Sequence, residues 1–201
     1  MRNYQRLDDF LNERVKDIYP EPFGEPSISI TNETVPKIIE IYKIPPGARV
    51  LDVGCGHGTA LQAFKKAGCE VVGVSLGPEA AKCKKEGFQV LEADMSFLDL
   101  DSGDFDVIWC RHVLEHSIFP YFTLSEMFRL LKSGGVFYME VPAAETSLKH
   151  ETNPNHYSVL SKNGWLSLLL RIGFKEIQTY DIEFLMPVGP EKYFAYLAQK
   201  N

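Results

Sequence analysis

Three glycines and an aspartate stand at the end of one short apolar segment of the chain. The segment 49–53 is mostly apolar and has the pattern of a fully buried parallel strand. Gly54, Gly56 and Gly58 follow it directly, and a helical pattern begins after them. A strand, a glycine turn and a helix bring backbone N–H groups and the positive end of a helix to one point. Because glycine has no Cβ, a ligand can lie against the main chain there.

The spacing of these glycines distinguishes two classes of nucleotide ligand. Dinucleotide-binding turns have the pattern G-x-G-x-x-G, built around a pyrophosphate, whereas this turn has G-x-G-x-G, with Thr59 at the place of the last dinucleotide glycine. Asp52 adds a carboxylate at the strand end, which would repel a pyrophosphate but suits a ligand that carries positive charge. S-adenosylmethionine has a sulfonium and an amino group, so the pattern predicts this cofactor at the turn.

The histidines of the chain all fall in loops that follow the predicted first, fourth and fifth strands. They are His57, His112, His116, His150 and His156. Because the carboxyl ends of parallel strands share one edge of a sheet, we expect these side chains on a single rim, where such sheets bind ligands. Histidine titrates near neutral pH and can act there as a base. The alternative interpretation is that loops simply carry polar residues.

The segment 112–116 reads His-Val-Leu-Glu-His, which matches the H-x-x-E-H string of one class of metalloprotease. That chemistry needs the motif on a helix, together with a third ligand and a bound water. Here the string follows a predicted buried strand instead. A metal-dependent hydrolase is therefore kept only as an alternative, and no metal ligand is predicted.

Length and composition favour one α/β domain without a strongly basic surface. The chain has 201 residues, of which 45% are hydrophobic and 12% aromatic, enough to fill a core. Its 21 basic and 27 acidic residues give a net charge of −6, which argues against a general nucleic-acid or anionic-membrane surface. The N-terminus is polar, unlike a signal peptide, and no stretch is long enough for a membrane span, so we expect a cytoplasmic protein. The cysteines form no C-x-x-C pair and are expected to be free thiols: Cys55, Cys69, Cys83 and Cys110.

The remaining pattern alternates strands with helices. Strands are predicted at 49–53, 70–76, 88–91, 106–110, 136–141, 174–182 and 193–199, and helices after the glycine turn and at about 79–86, 121–132 and 162–171. This alternation predicts a parallel sheet, and the closing pair of strands suggests that one strand is antiparallel.

Residues 1–46 are expected to form a helical lead-in, or cap, before a domain at 47–201. Apolar positions from 5 to 19 have the spacing of an amphipathic helix, and prolines between 20 and 26 end it and make a linker. Thr34 resembles the N-cap of a second helix, with Pro36 in its first turn.

Five motifs in order resemble those of the class I S-adenosylmethionine-dependent methyltransferases of the small-molecule type. They are the glycine loop 50–58, the second-strand segment 72–79, the segment 92–95, the fourth strand with its exit at 105–116, and 131–135 before the fifth strand. The resemblance covers about residues 34–201. It implies a seven-stranded, mostly parallel α/β sheet in the order 3-2-1-4-5-7-6, with strand seven antiparallel and helices on both faces.

The resemblance also implies which residues bind the cofactor. They are Asp52, Gly54, Cys55, Gly56, Gly58, Ser75, Leu76, Asp94, Met95 and Arg111. Asp94 would either meet the adenine amine or merely cap a turn, and Arg111 would contact the cofactor through its backbone. One position departs from the family, which usually has an acid at the end of the second strand that binds both ribose hydroxyls.

Ser75 occupies that acidic position in this chain. A hydroxyl cannot replace a bidentate carboxylate, and the loss of a charged acceptor weakens binding by about 1.5–3 kcal/mol if nothing substitutes. Either the affinity is low, or another residue compensates, or the chain is a methyltransferase-like binding or scaffold protein that is catalytically silent.

Methyl transfer would depend mostly on positioning, because the acceptor atom, the methyl carbon and the sulfur must lie in line. A hydroxyl acceptor benefits from a base that titrates near neutral pH. His116, after the fourth strand, is the first candidate for this base, and His156, beside Tyr157, is the second.

The acceptor is expected to be a small molecule, modified at oxygen, with nitrogen and carbon left open. Members of the family that methylate adenine or glutamine carry (Asp/Asn)-Pro-Pro-(Tyr/Phe) after strand four, whereas this chain has Cys-Arg-His-Val at 110–113. The chain ends soon after strand seven, so no C-terminal substrate domain is expected. The acceptor would then be covered by residues 1–46 and 142–160.

Overall fold

The computed structural model describes residues 4–14 and 24–201 of the chain. The helices are α1 (Gln5–Arg14), α2 (Ser27–Tyr42), α3 (Thr59–Lys66), α4 (Glu79–Lys85), α5 (Pro120–Leu130) and α6 (Lys162–Ile172). The strands are β1 (Arg49–Val53), β2 (Glu70–Val74), β3 (Gln89–Leu91), β4 (Phe105–Arg111), β5 (Leu131–Pro142), β6 (Lys175–Met186) and β7 (Gly189–Gln199). Two short 3-10 turns, Leu114–His116 and His150–Thr152, follow β4 and β5.

The strands form one seven-stranded sheet in the order β3-β2-β1-β4-β5-β7-β6. β1 to β5 pair in parallel, whereas β7 is antiparallel to both β5 and β6. The predicted fold class, strand order and antiparallel strand seven are therefore confirmed. Val53, the last residue of β1, is in register with Val74 and Cys110, so the ends of three central strands meet at one edge of the sheet.

The two faces of the sheet bury separate apolar clusters. Leu51 and Val53 of β1 project into one cluster with Trp165 of α6, whereas Val50 projects into the other with Trp109 of β4. Successive side chains of a strand point to opposite faces, and helices cover both faces here. This is why the apolar residues of β1 face both sides of the sheet instead of alternating with polar ones.

The predicted N-cap at Thr34 is wrong, because α2 begins earlier, at Ser27. Thr34 and Pro36 both lie inside the helix. The residues that α2 buries are one face of the helix: Thr31, Val35 and Ile38. Val35 and Ile38 of this face belong to the same apolar cluster as α3, and such tertiary packing stabilises a helix more than local cap signals do.

Other element boundaries differ from the sequence-based expectations by a few residues. The β6–β7 hairpin is longer than predicted and turns at residues 187–188, and α5 gives way to β5 at Leu131 instead of continuing to Lys132. The predicted continuation of α1 to residue 19 and the prolines at 20 and 22 lie outside the described residues. Among the helices of the described part of the chain, none is long and apolar enough to cross a membrane.

Candidate active site

A cavity of about 340 Å³ opens at the carboxyl ends of β1, β2 and β4. Its walls come from the turn after β1, the segments that follow β2, β3 and β4, and the loop after β5. Helices α1 and α2 complete it, through Leu11 and Arg14 and through Ser27 and Thr31. Open α/β sheets bind ligands in the crevice beyond the carboxyl ends of their strands, where strand order reverses, as it does here between β1 and β4.

The structure brings the predicted cofactor residues together in this cavity with one exception. Those that line it are Asp52, Gly54, Cys55, Gly56, Ser75, Leu76, Asp94, Met95 and Arg111. Gly58 is placed elsewhere, because a Cβ built on it would lie 2.9 Å from Cys83 Sγ of α4. Its left-handed conformation, with φ of 80°, starts helix α3 and packs the turn against α4.

The glycines of the turn have two different roles. A Cβ on Gly54 would lie 2.6 Å from a methyl group of Val113, so this glycine lets β1 approach the exit of β4. Gly56 has φ of 45°, and the nearest atom to a Cβ built there, Gly54 O, is 3.9 Å away. The main chain at Gly56 therefore faces the open cavity, and a ligand that lies against it would occupy the space of a side chain.

Asp52 supplies a buried carboxylate beside this turn. Only 3% of the residue is exposed, and its Oδ2 has no hydrogen-bond partner among the described residues. Burial raises the pKa of Asp52 to about 7, although a hydrogen bond from the backbone of Leu61 opposes the rise. A buried carboxylate with no cation beside it among the described residues is stabilised by a cationic ligand group, so the turn fits a ligand that carries an amino or sulfonium group.

Ser75 and Asp94 have partners within their own loops. Ser75 Oγ accepts a hydrogen bond from the Gly77 N–H at 3.2 Å, and Asp94 Oδ1 accepts one from the Ser96 N–H at 2.8 Å. Asp94 thus caps a turn, as one interpretation of the sequence held, and it also lines the cavity. Contact between Asp94 and an adenine amine stays a prediction.

The guanidinium of Arg111 belongs to a buried ion-pair network. It donates to Ser27 Oγ at 2.6 Å and lies 2.9 Å from Glu140 Oε1, which ties the start of α2 to the central strands. Glu140 is fully buried and also accepts a hydrogen bond from the Tyr138 hydroxyl at 2.6 Å. Its Oε1 lies 3.1 Å from His112 Nε2. The expected contact of Arg111 with the cofactor would therefore come from its backbone.

The charged groups of this network shift one another's pKa values. Burial disfavours the charged form of His112, but Glu115 and Glu140 outweigh burial and raise the histidine pKa to about 9. Burial alone would raise the pKa of Glu140, yet His112 and Arg111 lower it to about 2. His112 is consequently a cation that neutralises carboxylates at neutral pH. Sequence analysis missed Glu140, whose only signal is an acid within an otherwise apolar strand.

Three further groups converge behind the exit of β4. Glu115, His116 and His156 have ligand atoms within 4.8 Å of one another. Nδ1 of His116 lies 3.0 Å from the carbonyl oxygen of Asn155. Nδ1 of His156 lies 3.0 Å from the carbonyl oxygen of His150. Because a carbonyl oxygen only accepts, each neutral ring carries its proton on Nδ1 and its lone pair on Nε2.

We call Glu115, His116 and His156 the acceptor cluster. Glu115 is only 1% exposed, and its Oε2 has no hydrogen-bond partner among the described residues. One carboxylate and two imidazoles together can accept a transferred proton and stabilise the charge that it brings. The same groups are also common ligands of a divalent cation. His116 lines the cavity, whereas His156 is nearly buried behind it, with ring centroids 4.8 Å apart.

The H-x-x-E-H string does not form the helix that a metalloprotease needs. His112 has a left-handed φ of 50° at the end of β4, and only Leu114–His116 forms a single 3-10 turn. His112 points to Glu115 and Glu140 and is not in the acceptor cluster. Tertiary contacts, not the string, thus decide which of its residues come together.

Comparisons with known proteins agree with this geometry. A family model described as "Methyltransferase domain" matches residues 30–182. The chain belongs to this methyltransferase family. The predicted class I methyltransferase and its cofactor, S-adenosylmethionine, are thereby confirmed, and the turn after β1 with Asp52 fits that cofactor.

Individual relatives share the domain at modest identity. A ubiquinone biosynthesis O-methyltransferase of Methylococcus capsulatus is 30% identical over 127 residues, which are 59% of this chain and 54% of that protein. The chain thus spans about half the length of this curated relative.

Two solved structures share the fold at lower identity. An S-adenosylmethionine-dependent methyltransferase from Archaeoglobus fulgidus has a TM-score of 0.69 at 22% identity, covering 84% of this chain and 94% of its own. The Haemonchus contortus phospholethanolamine N-methyltransferase 2, solved with S-adenosylhomocysteine, has a TM-score of 0.70 at 16% identity. The match covers 84% of this chain and 52% of that protein.

Proposed function

We propose that the protein transfers the methyl group of S-adenosylmethionine to an oxygen atom of a small-molecule acceptor. The observation that carries this proposal is that one cavity contains both the glycine turn with Asp52 and the imidazole of His116. A group held at the turn and a group held at His116 would share one enclosed space. Such proximity is the main requirement of a displacement between two bound molecules.

The cofactor end of the cavity would be formed by the main chain at Gly56, by Asp52 and by Asp94. S-adenosylmethionine supplies a methyl group activated by a positively charged sulfur. Asp52 would take its ionised form against the ammonium group, since a nearby cation lowers the pKa of a buried carboxylate. The carboxylate would fix the orientation of the cofactor by this pairing.

The acceptor end of the cavity would be formed by His116. Its Nε2 lone pair can accept the proton of an attacking hydroxyl, because the Asn155 carbonyl holds the other ring nitrogen in its protonated form. Glu115 would stabilise the imidazolium that results. His156 lies behind His116 and would act through it, as a positioning residue, although the sequence marked it as a second candidate base.

The size of the cavity and its cover favour a small acceptor. Residues of α1 and α2 close one side, and Asn155 and Tyr157 of the loop after β5 close another. We therefore propose residues 1–46 as a cap on a domain at 47–201, with a small molecule as the partner and no general nucleic-acid or membrane binding. The name of the Methylococcus relative favours oxygen as the acceptor atom. A cytoplasmic location stays a prediction.

Replacement of His116 by Ala tests the role of the base. Turnover, measured as release of S-adenosylhomocysteine with a panel of phenols, carboxylic acids and amines, is expected to fall about 10²- to 10⁴-fold. Calorimetric affinity for S-adenosylhomocysteine should stay unchanged, and added imidazole should restore part of the rate. A fully active variant would remove the role from His116.

A chelator distinguishes the two chemistries of the acceptor cluster. A histidine base predicts that EDTA leaves turnover unchanged. Loss of turnover in EDTA, with recovery on adding one divalent cation, would instead make the cluster a cation site. The silent-protein alternative predicts a third result, in which calorimetry detects no binding of S-adenosylmethionine at millimolar concentration.

A further inference from the structure

A nucleoside cofactor brings two neighbouring ribose hydroxyls that need acceptors in the cavity. In the sheet, β2 lies between β1, whose end carries the glycine turn, and β3, whose end leads to Asp94 and Met95. A ligand that reaches from that turn to Asp94 must pass the end of β2. Ser75 stands there and offers only a hydroxyl, whose oxygen already accepts from the Gly77 N–H.

A carboxylate approaches this point from the helix that follows. Glu79, the first residue of α4, lines the cavity and is half-buried. A Cβ built on Gly77 would lie 2.3 Å from Glu79 Oε2 and 3.6 Å from Ser75 Oγ. The carboxylate therefore lies over the main chain of Gly77, on the same side as the serine hydroxyl, and any larger residue at 77 would displace it.

The charge of Glu79 is not used elsewhere in the described part of the chain. Glu86, at the end of the same helix, pairs with Lys82, and Glu92 pairs with Lys84. No lysine or arginine among the described residues forms an ion pair with Glu79. A half-buried carboxylate without a cation is the kind of acceptor that two hydroxyl donors satisfy.

We propose that Glu79 supplies the ribose-binding carboxylate that the end of β2 lacks. Glu79 stands four positions after Ser75, in the first turn of α4, and Gly77 gives its side chain the room to reach back. Ser75 Oγ then assists as a second, neutral group. This inference rests on the proposed function, because it assigns a residue to the nucleoside of the same cofactor.

Replacement of Glu79 by Gln keeps the shape of the side chain and removes its charge. Calorimetric affinity for S-adenosylhomocysteine should fall about 10- to 100-fold, the range expected when hydrogen bonds to a charged acceptor are lost. The matched control is Glu86→Gln, which changes the same residue type at the C-cap of α4, outside the residues that line the cavity, and should bind as the wild type does. Thermal unfolding of both variants checks that they fold.

Two further measurements separate direct contact from a structural effect. Adding Ser75→Asp to the Glu79→Gln variant returns an acid to the end of β2 and should restore most of the affinity. A 2′,3′-dideoxy analogue of the ligand should bind the wild type more weakly, yet lose little further affinity in Glu79→Gln, because the carboxylate and the hydroxyls form one interaction.

The outcomes distinguish this inference from the function on which it rests. Wild-type protein that binds S-adenosylhomocysteine, with Glu79→Gln binding equally well, overturns the inference alone. Wild-type protein that does not bind the ligand overturns the proposed function and the inference together. Equal losses for Glu79→Gln and Glu86→Gln would show a general effect of charge and would also overturn the inference.

Discussion

At the scale of single residues, the site combines one carboxylate that has no cationic partner among the described residues with another that lies in an ion-pair network. Asp52 is buried with no cation beside it in the described part of the chain, and burial raises its pKa to about 7. Glu140 is equally buried but lies against Arg111 and His112, and its pKa is lowered to about 2. Asp52 thus fits a carboxylate that would pair with a cationic ligand, whereas Glu140 connects the strands to helix α2 through Arg111.

Asp52 should make the ligand-free protein less stable as the pH rises. The folded-state pKa is raised above the unfolded value of 3.8, so the folded protein binds more protons between about pH 4 and pH 7, and its free energy of unfolding falls across that window. Asp52→Asn should abolish this slope and be more stable than the wild type at pH 8, while binding S-adenosylmethionine more weakly. Urea unfolding at pH 5 and pH 8 measures the first effect. Parallel slopes in both proteins would contradict the expectation.

The same sign applies to His112, but in a window at higher pH. Its folded-state pKa of about 9 lies above the ordinary value of 6.5, so its stabilising contribution is complete below pH 6.5 and is lost as the pH rises through 9. The two windows overlap little. The Asp52→Asn comparison at pH 5 and pH 8 is therefore read as the difference between the two proteins at each pH, in which the common contribution of His112 cancels.

At the scale of elements, the turn after β1 has two structural roles, one at each of two nearby glycines. Gly54 faces Val113 of the β4 exit, whereas Gly56 faces the cavity. The strand-to-helix connection thus packs against its neighbours at one residue and lines the cavity two residues later. A motif of evenly spaced glycines does not reveal this division.

Replacing each glycine by alanine should separate these two roles. Gly54→Ala places a Cβ against Val113 at a positive φ and should destabilise the protein by about 2 kcal/mol or more. Gly56→Ala has room for its Cβ and should cost about 1–2 kcal/mol from its φ alone, but should weaken S-adenosylhomocysteine binding strongly. Urea unfolding and calorimetry on both variants measure the contrast. Equal binding by Gly56→Ala and the wild type would place the ligand elsewhere.

At the scale of the whole molecule, the cavity at the strand ends is lined on one side by α1 and α2, the helices that precede the sheet in the chain. α1 buries none of its own residues, yet Leu11 and Arg14 line the cavity. α2 is anchored more firmly, through its buried face and the bond from Arg111 to Ser27. One side of the cavity is therefore lined by one loosely packed helix and one firmly packed helix, which together are the cap that we propose.

Deleting residues 1–14 should affect catalysis more than stability. Because α1 buries no residue, the free energy of unfolding should change by less than about 1 kcal/mol. Opening the cavity to water should lower kcat/KM for the acceptor about tenfold or more. The measurement is turnover alongside urea unfolding, with an alanine variant at the exposed Phe10 as a control for altered surface. Unchanged kcat/KM would show that α1 is not a cap.

Much of this architecture follows from short-range features of the sequence. The run from Val50 to Gly58 encodes a buried strand, a turn and a helix start, because apolar periodicity and missing Cβ atoms act within a few residues. The order of such units along the chain then fixed the sheet, since parallel strands need crossovers and these follow one handedness. The cavity at the strand ends is a consequence of that topology, which is why many of the residues that line it could be named in advance.

Only the tertiary structure decided the features that depend on partners distant in sequence. α2 begins at Ser27 instead of at Thr34, and Gly58 packs against Cys83 and does not line the cavity. His112 and His116 lie four positions apart in the sequence but have different surroundings in the structure. His112 belongs to the ion-pair network with Glu140, whereas His116 lines the cavity. Glu79 reaches over Gly77 toward the serine at the end of β2. Charge pairing and packing act between side chains wherever the fold brings them, so local patterns can supply the candidates but not choose among them.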